Sequence, residues 1–513
     1  MAMKIVMMVL FIVVTIAIGF FTRKRAMDVD GFVLGGRKVG PWLTAFAYGT
    51  SYFSAVVFIG YAGQFGWKYG MAALWIGLGN AFVGSLLAWY VLGARTRAMT
   101  HHLNAQTMPE FFGARFKSKP LRVAAAGIIF VFLIPYTASV YNGLSRLFYM
   151  AFAIPYEWCI VAMALLTCLY VVLGGYMATA VNDFVQGCIM LVGVIAVIAA
   201  VLAGHGGFAE AVVELSQVSG DGAAGGAGQG MQGTFISMFG PDLPNLLGVI
   251  VLTSLGTWGL PQMVQKFYAI KSTSSIKRGA IISTVFALVV AGGSYFLGGF
   301  GRLVGADVPL TPTGVPVYDA VVPTLLSNMP DLLIGLTVVL VLSASMSTLS
   351  SLVLTSSSTL TLDFIKGNFV KRMGEKAQLL TMRALLVAFV AISAVIALFQ
   401  YSSSVTFIAQ LMSISWGALA GSFLAPFLYG LYWKRTTTAS VWACFVFAVG
   451  LVCSNMVFGF INSPINAGAI AMVGGLVIVP LVSLVSPRPD ASAADALFAE
   501  SYRNLHEYPV DAD

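Results

Sequence analysis

The sequence has few charged residues. Asp, Glu, Lys and Arg make up 9% of its 513 residues, while hydrophobic residues make up 58%. A soluble domain carries about a quarter charged residues, so a chain this apolar cannot cover a surface that faces water on all sides. Strand-period alternation of polar and apolar residues is also absent, which argues against an outer-membrane barrel. The composition therefore predicts an all-α integral membrane protein.

Cysteine and histidine are scarce as well. The five cysteines are an odd number and include no CxxC pair, and the four histidines offer too few ligands for a metal site. We interpret the cysteines, which all fall in apolar segments, as small packing residues. No pair of carboxylates, histidine cluster or nucleophile motif falls within the apolar segments. The sequence therefore predicts neither an enzyme nor a resident cofactor.

Long apolar stretches, in contrast, are abundant. A helix needs about 20 apolar residues to cross a bilayer, and about thirteen stretches of the chain meet this requirement. The first one is typical of an anchor and not of a cleaved signal, because its basic cluster follows the apolar run. The predicted spans are 4–22, 41–66, 70–94, 122–152, 157–176, 183–204, 241–265, 279–300, 332–362, 384–400, 404–432, 438–460 and 467–486.

The basic residues predict the orientation of these spans. An outside N-terminus and a cytoplasmic C-terminus place nearly all of the 28 Lys and Arg in the cytoplasm, including Lys266 after the seventh span. Only Lys4, Lys68 and Arg302 then fall outside, an asymmetry that is typical of multi-pass proteins of the cell membrane. Because the charge is spread over five loops and a tail, we expect contact with anionic membrane lipid and no nucleic-acid partner.

Three segments outside the spans carry local patterns. Residues 107–110 (Thr-Met-Pro-Glu) predict the start of a capped amphipathic helix on the inner surface. The Gly/Ala-rich run 220–230 predicts a flexible linker within an external loop. Residues 487–513 predict a polar cytoplasmic tail that is too short for a catalytic domain.

Two of the predicted spans contain helix-breaking residues. In the second span, glycine and hydroxyl residues cluster over 49–54, and in the seventh, Gly256, Gly259 and Pro261 lie close together. Proline removes a backbone donor and glycine weakens a helix. Backbone groups freed in this way survive in a membrane only where they line a protein or water-filled cavity. The pattern indicates either the midplane site of an inverted-repeat transporter or ordinary kinks.

The ninth span carries a stripe of hydroxyl groups, and one acid lies at the start of another span. Asp183 begins the sixth span, and a carboxylate at such a depth usually has a partner or a function. The serines are either contacts between helices or ligands for a hard cation such as Na⁺. Those near one face of the helix are Ser343, Ser347, Ser350, Ser351 and Ser358.

The motifs in this order resemble those of the sodium:solute symporter family, over about residues 1–486. The resemblance rests on 34–37 (Leu-Gly-Gly-Arg), the break at 49–54, 174–176 (Gly-Gly-Tyr) followed by Asp183, 256–261 and 346–350. It implies a leucine-transporter-like fold with two inverted repeats of five helices, whose second and seventh spans are broken. The implied divisions are 1–40 (an extra span and loop), 41–204 (first repeat), 205–240 (external loop), 241–432 (second repeat), 433–486 (two further spans) and 487–513 (tail).

The resemblance also implies binding residues. One Na⁺ would bind the carbonyls of Thr50, Phe53 and Ala344 and the hydroxyls of Ser347 and Thr348. A second Na⁺, present in some members, would bind Asp183, Ser347, Ser350 and Ser351. The positions that match the solute site are Ser51, Tyr52, Ser54, Ala55, Gln64, Asn80, Tyr136, Thr253, Trp258 and Pro261.

The expected function is Na⁺-coupled uptake of a small organic solute by alternating access, with the monomer as the functional unit. The solute is expected to be an amino acid, a small carboxylate or a vitamin-like molecule. Proline carriers have an Asp at the position of Tyr52, and 50–55 is more similar to the pantothenate-type members. Two alternatives remain open: a substrate sensor of the same fold and an H⁺-coupled carrier.

Overall fold

The protein is built from helices that are long and apolar enough to cross a membrane. The computed structural model describes residues 2–152, 154–220, 230–311, 314–370, 372–403 and 408–505. These residues contain no β-strand beyond two isolated bridges. They include ten helices with the length and hydropathy of a membrane span, or eleven if one bent pair counts as a span. In lipid a helix satisfies all of its own backbone groups, which is why apolar stretches of this length adopt it.

The first half of the chain runs from the N-terminal span to a short helix after the longest one. The sequence-predicted spans 157–176 and 183–204 lie in one continuous run, α9, which contains Gly175 in a non-helical conformation (φ 53°, ψ −144°). A side chain there would also meet the backbone of Phe32 at 2.9 Å, so only glycine fits this reversal. The helices are α1 (Ala2–Thr22), α2 (Val29–Leu34), α3 (Pro41–Tyr52), α4 (Ala62–Tyr69), α5 (Leu74–Gly79), α6 (Ala94–His102), α7 (Met108–Arg115), α8 (Lys119–Phe152), α9 (Tyr156–Gly204) and α10 (Phe208–Gln217).

The second half of the chain begins with the bent pair α11 and α12 and ends with a helix outside the membrane spans. Its helices are α11 (Leu243–Gly259), α12 (Pro261–Ala269), α13 (Ser274–Ala287), α14 (Gly293–Gly299), α15 (Tyr318–Leu326), α16 (Asp331–Thr359), α17 (Lys366–Asn368), α18 (Glu375–Ser403), α19 (Ile408–Tyr432), α20 (Thr438–Phe458), α21 (Pro464–Val485) and α22 (Ala491–Tyr502).

Several of these helices continue through π-helical turns, which widen a helix locally and often occur at functional sites. The turn that follows α3 borders the polar centre described below, whereas the turn that follows α16 contacts Thr107 and Arg122 through Asp363. The turns are Val56–Tyr61, Asn80–Leu87, Trp89–Gly93, Leu288–Gly292 and Leu360–Ile365.

The spans differ strongly in burial. The most apolar window of Asp331–Asn368 is 83% buried and that of Ile408–Tyr432 is 89% buried, whereas that of Met3–Arg25 is 17% buried. The helix α16 packs against α1, α3, α8, α9 and α18. It is therefore a central helix, and its hydroxyl groups face protein and not lipid.

Short helices occur in segments for which the sequence predicts loops. The structure has α10 within the predicted external loop 205–240, although residues 221–229 of its Gly/Ala-rich run lie outside the described residues. It also has α15 between the eighth and ninth predicted spans. The predicted helix after Thr107 is confirmed as α7: the Thr107 side chain accepts a hydrogen bond from Glu110 N (3.2 Å), and Glu110 accepts one from Gln106 N (2.8 Å).

The predicted polar tail contains a docked helix. In α22, the Tyr502 hydroxyl donates to Leu431 O (2.7 Å), and Asp495 pairs with Lys434 (2.6 Å). The guanidinium of Arg115, in α7, lies 5.1 Å from the centre of the Phe498 ring. Burial in this contact lowers the pKa of Arg115 to about 10, which leaves it protonated at neutral pH. The segment up to residue 505 is thus packed against the bundle, while 506–513 lie outside the described residues.

Candidate ion and solute site

The first element of the site is the end of α3. This helix stops at Tyr52, Phe53 is extended (φ −85°, ψ 107°), and a π-helical turn starts at Val56. The Ser54 side chain accepts a hydrogen bond from Val56 N (3.2 Å) and so caps the new segment. A helix end leaves its last carbonyls without partners in the helix. The interruption therefore exposes carbonyl oxygens in the centre of the protein.

Two hydroxyl groups of α16 face these carbonyls. Ser347 Oγ donates to Thr50 O (3.2 Å) and lies 3.1 Å from Ala344 O. Thr348 Oγ1 lies 3.2 Å from Thr50 O, 3.4 Å from Phe53 O and 3.1 Å from Ala344 O. We call these five oxygens, three carbonyl and two hydroxyl, the hydroxyl cage; all five residues are completely buried.

The hydroxyl cage brings together all five residues of the first predicted Na⁺ site. Thr348 has one proton and three carbonyl oxygens within reach, so it cannot satisfy all of them at once. Hard cations prefer carbonyl and hydroxyl oxygens of this kind. The donor set fits a sodium ion that would bridge α3 and α16.

The serines of the second predicted Na⁺ site lie in or next to the cage. Ser350 Oγ donates to Ser347 O (2.9 Å), and Ser351 Oγ lies 2.9 Å from Ser51 Oγ. Asp183 is completely buried, and neither of its carboxylate oxygens has a hydrogen-bond partner among the described residues.

A lysine lies among these groups. The sequence assigns Lys266 to a cytoplasmic loop, and this assignment is wrong: Lys266 belongs to α12 and is 3% exposed. Its Nζ donates to Ser351 Oγ (3.1 Å), and its charge acts on Asp183. The sequence places Lys266 in a loop because this residue directly follows an apolar stretch.

A cluster of aromatic side chains lies on the other side of the α3 interruption. Tyr295, on α14, lies near both Tyr52 and Tyr61, the latter in the π-helical turn. Tyr136, on α8, also lies near Tyr52 and Tyr61, and its ring lies edge-on to Trp416 on α19 (5.9 Å between centres). We call this set, together with Asn80, the tyrosine cluster. Its members are Tyr52, Tyr61, Asn80, Tyr136, Tyr295 and Trp416.

Most polar atoms of the tyrosine cluster have no partner. Tyr61 bonds Ser413 Oγ (2.9 Å), and Asn80 Oδ1 lies 3.4 Å from Ser254 Oγ. The Tyr136 hydroxyl faces Trp416 Nε1 and the Tyr295 hydroxyl faces Asn80, but neither pair has the geometry of a hydrogen bond, and the Tyr52 hydroxyl has no hydrogen-bond partner among the described residues. Leaving a buried polar group unsatisfied costs about 1–3 kcal/mol. These groups are therefore suited to binding a small molecule that has both polar atoms and an apolar surface.

The second interruption lies between α11 and α12, at Leu260 (φ −75°, ψ 123°), where the two helices are bent by 43°. Pro261 is buried in the first turn of α12, a position that tolerates its missing N–H. The next residue, Gln262, is completely buried, and neither polar atom of its side chain has a partner in the described part of the chain. Gly256 lies against the Trp416 ring, so the tyrosine cluster extends toward this second interruption.

The remaining predicted solute residues are more dispersed. Ser51 bonds to Ala47 O and Ser351, on the side of the ion ligands, and Ala55 lies against Gly143. Thr253 bonds within its own helix, to Val249 O (2.9 Å), and Trp258 Nε1 donates to Val83 O (3.0 Å). Gln64 is buried, and its Oε1 has no partner among the described residues. Of the ten predicted positions, the structure places Tyr52, Asn80 and Tyr136 in the tyrosine cluster.

Sequence reasoning missed Tyr61, Tyr295, Trp416 and Gln262 as well as Lys266. The aromatic residues come from two separate helices and one π-helical turn and follow no shared spacing. An aromatic residue in an apolar span is most simply interpreted as core packing. Gln262 offered a usable signal, since it directly follows Pro261 in a stretch predicted to be membrane-embedded.

Comparison with known proteins gives a consistent result. The family model described as "Sodium:solute symporter family" matches residues 32–446. The osmoregulated proline transporter OpuE of Bacillus subtilis is 26% identical over 95% of this chain and 96% of its own length. The sodium/proline symporter of Escherichia coli is 28% identical over 96% of this chain and 95% of its own length.

A solved structure supports the fold. The substrate-bound, outward-open state of a Na⁺-coupled sialic acid symporter superimposes with a TM-score of 0.77, over 95% of this chain and 98% of that one, at 17% identity. The resemblance seen in the sequence motifs is thereby confirmed: the chain belongs to the sodium:solute symporter family.

Proposed function

We propose that the protein is a sodium-coupled symporter that takes up a small organic solute by alternating access. Family membership and the apolar helices support a multi-pass membrane transporter. The observation that carries the sodium assignment is the hydroxyl cage, in which three carbonyls and two hydroxyls from α3 and α16 converge. These oxygens are uncharged. Protons would therefore not compete with a bound cation for them, as protons do at a carboxylate.

Sodium in the cage would couple to the solute through α3. The cage uses carbonyls of Thr50 and Phe53, and Tyr52 of the tyrosine cluster lies between these residues in the chain. A bound ion would fix the end of α3 and with it the position of the Tyr52 ring. Sodium can shift the conformational equilibrium only if it binds the outward and inward states with different affinities. Each Na⁺ that crosses 100 mV contributes about 2.3 kcal/mol.

The two helix interruptions support a specific architecture. We propose that they are the broken second and seventh spans of two inverted repeats, at 41–204 and 241–432. Counting α9 as two spans at Gly175 and residues 41–102 as two spans gives the thirteen predicted from the sequence. The N-terminus is then outside, and the basic segment 95–121 and α22 are cytoplasmic.

The tyrosine cluster is proposed as the solute site. Its six members are aromatic or amide side chains, which favours aromatic faces and neutral hydrogen bonds as the binding groups, and the nearby carboxylate of Asp319 lies beside Gly60. The first turn of α12, with the unpartnered Gln262, offers backbone donors and a helix N-terminus to a carboxylate. A small amino acid or carboxylate with an apolar body satisfies both features. Because the relatives are named proline transporters, proline is the first solute to test.

A thermal-shift screen of the purified protein tests this assignment. Amino acids, small carboxylates and vitamins are added in Na⁺ buffer and again in K⁺ buffer. A ligand that binds only the folded state raises the midpoint, and we expect one solute class to do so in Na⁺ alone. Equal stabilisation in K⁺ would contradict sodium coupling. Flux of the identified solute into proteoliposomes then distinguishes a carrier from a sensor of the same fold.

A further inference from the structure

The starting observation is the burial of Lys266. Its side chain is 3% exposed, its Nζ donates to Ser351 Oγ (3.1 Å), and it lies 5.1 Å from the centre of the Tyr176 ring. An ammonium group removed from water is costly unless an opposite charge compensates it. One hydroxyl and one aromatic face do not carry a full negative charge. Lys266 therefore needs an anion nearby.

Asp183 is that anion. Its side chain is completely buried on α9, and Asp183 and Lys266 both lie beside Tyr176 and act on each other electrostatically. Neither carboxylate oxygen is hydrogen-bonded within the described ranges, to Lys266 or to any other residue. The two side chains thus interact through their charges without a direct hydrogen bond. A lysine from α12 supplies the charge that a bound cation would otherwise have to supply.

The serines around this pair are already bonded. Ser347 is engaged with the hydroxyl cage, and Ser350 donates to Ser347 O. Ser351 accepts from Lys266 and contacts Ser51. Each serine of the predicted second Na⁺ site thus has a hydrogen-bond partner, and the ammonium group of Lys266 already contacts one of them, Ser351.

We infer that the ammonium group of Lys266 is a tethered cation that takes the place of the second sodium ion, so that this protein binds a single Na⁺, in the hydroxyl cage. The inference rests on the proposed function, because it concerns the ions of a sodium-coupled carrier. One residue of α12, Lys266, then determines how many Na⁺ ions the protein binds. A carrier that moves one Na⁺ with each solute molecule can sustain a smaller ratio of solute concentrations across the membrane than a carrier that moves two.

Binding of radiolabelled sodium to the purified full-length protein, counted per molecule at saturation, tests the inference. We expect one Na⁺ per wild-type molecule and two per Lys266→Gln molecule, because the variant leaves Asp183 without a counter-charge. The matched control Lys266→Arg retains the charge and should still bind one. The double variant Asp183→Asn/Lys266→Gln removes both charges and should also bind one.

Two Na⁺ per wild-type molecule would overturn the inference and leave sodium coupling intact, and this count requires no variant to fold. A single Na⁺ in well-folded Lys266→Gln, judged by a monodisperse elution profile, would also overturn it. If Lys266→Gln does not fold, the Hill coefficient for sodium of the wild type decides: a value near one supports the inference and a value clearly above one overturns it. No saturable sodium binding in the wild type would instead contradict the proposed function.

Discussion

The two helix interruptions resemble each other in sequence but are stabilised differently. Around the first, α3 ends at Tyr52 and its last carbonyls accept hydrogen bonds from Ser347 and Thr348 of another helix. Around the second, Gly259 packs against the backbone of α19, and the next residues start α12 at Pro261. The first interruption is thus held by polar contacts that an ion can replace, and the second by close packing that fixes an angle.

This difference shows how one fold separates two tasks. A site that exchanges an ion must be stabilised by contacts that can form with either the ion or the protein. A hinge between two half-helices must keep its geometry whatever is bound. The sharpest ways to test the comparison are substitutions that remove the polar contacts of one interruption or the packing of the other.

The largest effect is expected from removing the hydroxyls of the cage. Ser347→Ala and Thr348→Ala each remove an oxygen, and a contact between a polar group and a full charge contributes about 1.5–3 kcal/mol. The sodium concentration for half-maximal binding should rise about tenfold or more in each variant. Ser358→Ala is a matched control on the same helix, because among the described residues the Ser358 hydroxyl donates to carbonyls of its own helix alone (2.7 and 3.1 Å). Unchanged sodium affinity in both cage variants would remove these residues from the ion site.

A smaller effect, on stability instead of sodium affinity, is expected at the second interruption. A Cβ at Gly259 would lie 2.8 Å from Ala420 Cα and from Leu424 N, both backbone atoms that cannot move aside easily. Gly259→Ala should therefore cost about 1–3 kcal/mol of stability and lower the thermal midpoint in detergent. Gly450→Ala is the control, because no atom of the described residues lies within 4 Å of the added methyl group. An equal midpoint for the two variants would refute the packing role of Gly259.

The smallest effect is expected in the tyrosine cluster. Tyr136→Phe removes a hydroxyl that has no partner among the described residues and keeps the ring that lies against Trp416. A hydrogen bond to the solute contributes about 0.5–1.5 kcal/mol net, so solute affinity should fall about 2- to 10-fold while sodium affinity stays the same. Tyr429→Phe, whose hydroxyl bonds Leu476 O (3.0 Å), serves as the control. Solute affinity equal to that of the wild type in Tyr136→Phe would exclude this hydroxyl from the solute site.

The sequence predicted the ion ligands better than the solute ligands, for a physical reason. Ser347 and Thr348 are hydroxyls in an otherwise apolar helix, and residues 49–54 combine glycine with hydroxyls, so both segments stand out locally. Tyr61, Tyr295 and Trp416 are ordinary for apolar spans, and only the packing of distant helices brings them together. Their convergence is a tertiary property that no local spacing encodes.

Lys266 and α22 illustrate two other limits. A charge at the end of an apolar stretch looks like a loop residue, and only the direction of α12 after the bend buries it. The segment of α22 has mixed polarity, and its docking depends on partners far away in the chain, such as Leu431 and Arg115. The main fold class, in contrast, follows from the length and hydropathy of the spans alone.

The most direct test of the central claim is uptake into proteoliposomes of the solute found by the screen, with proline tried first. We expect an inward Na⁺ gradient to drive electrogenic accumulation, and Thr348→Ala to need a higher Na⁺ concentration for the same rate. Uptake that is indifferent to Na⁺ and follows a proton gradient would contradict sodium coupling through the hydroxyl cage.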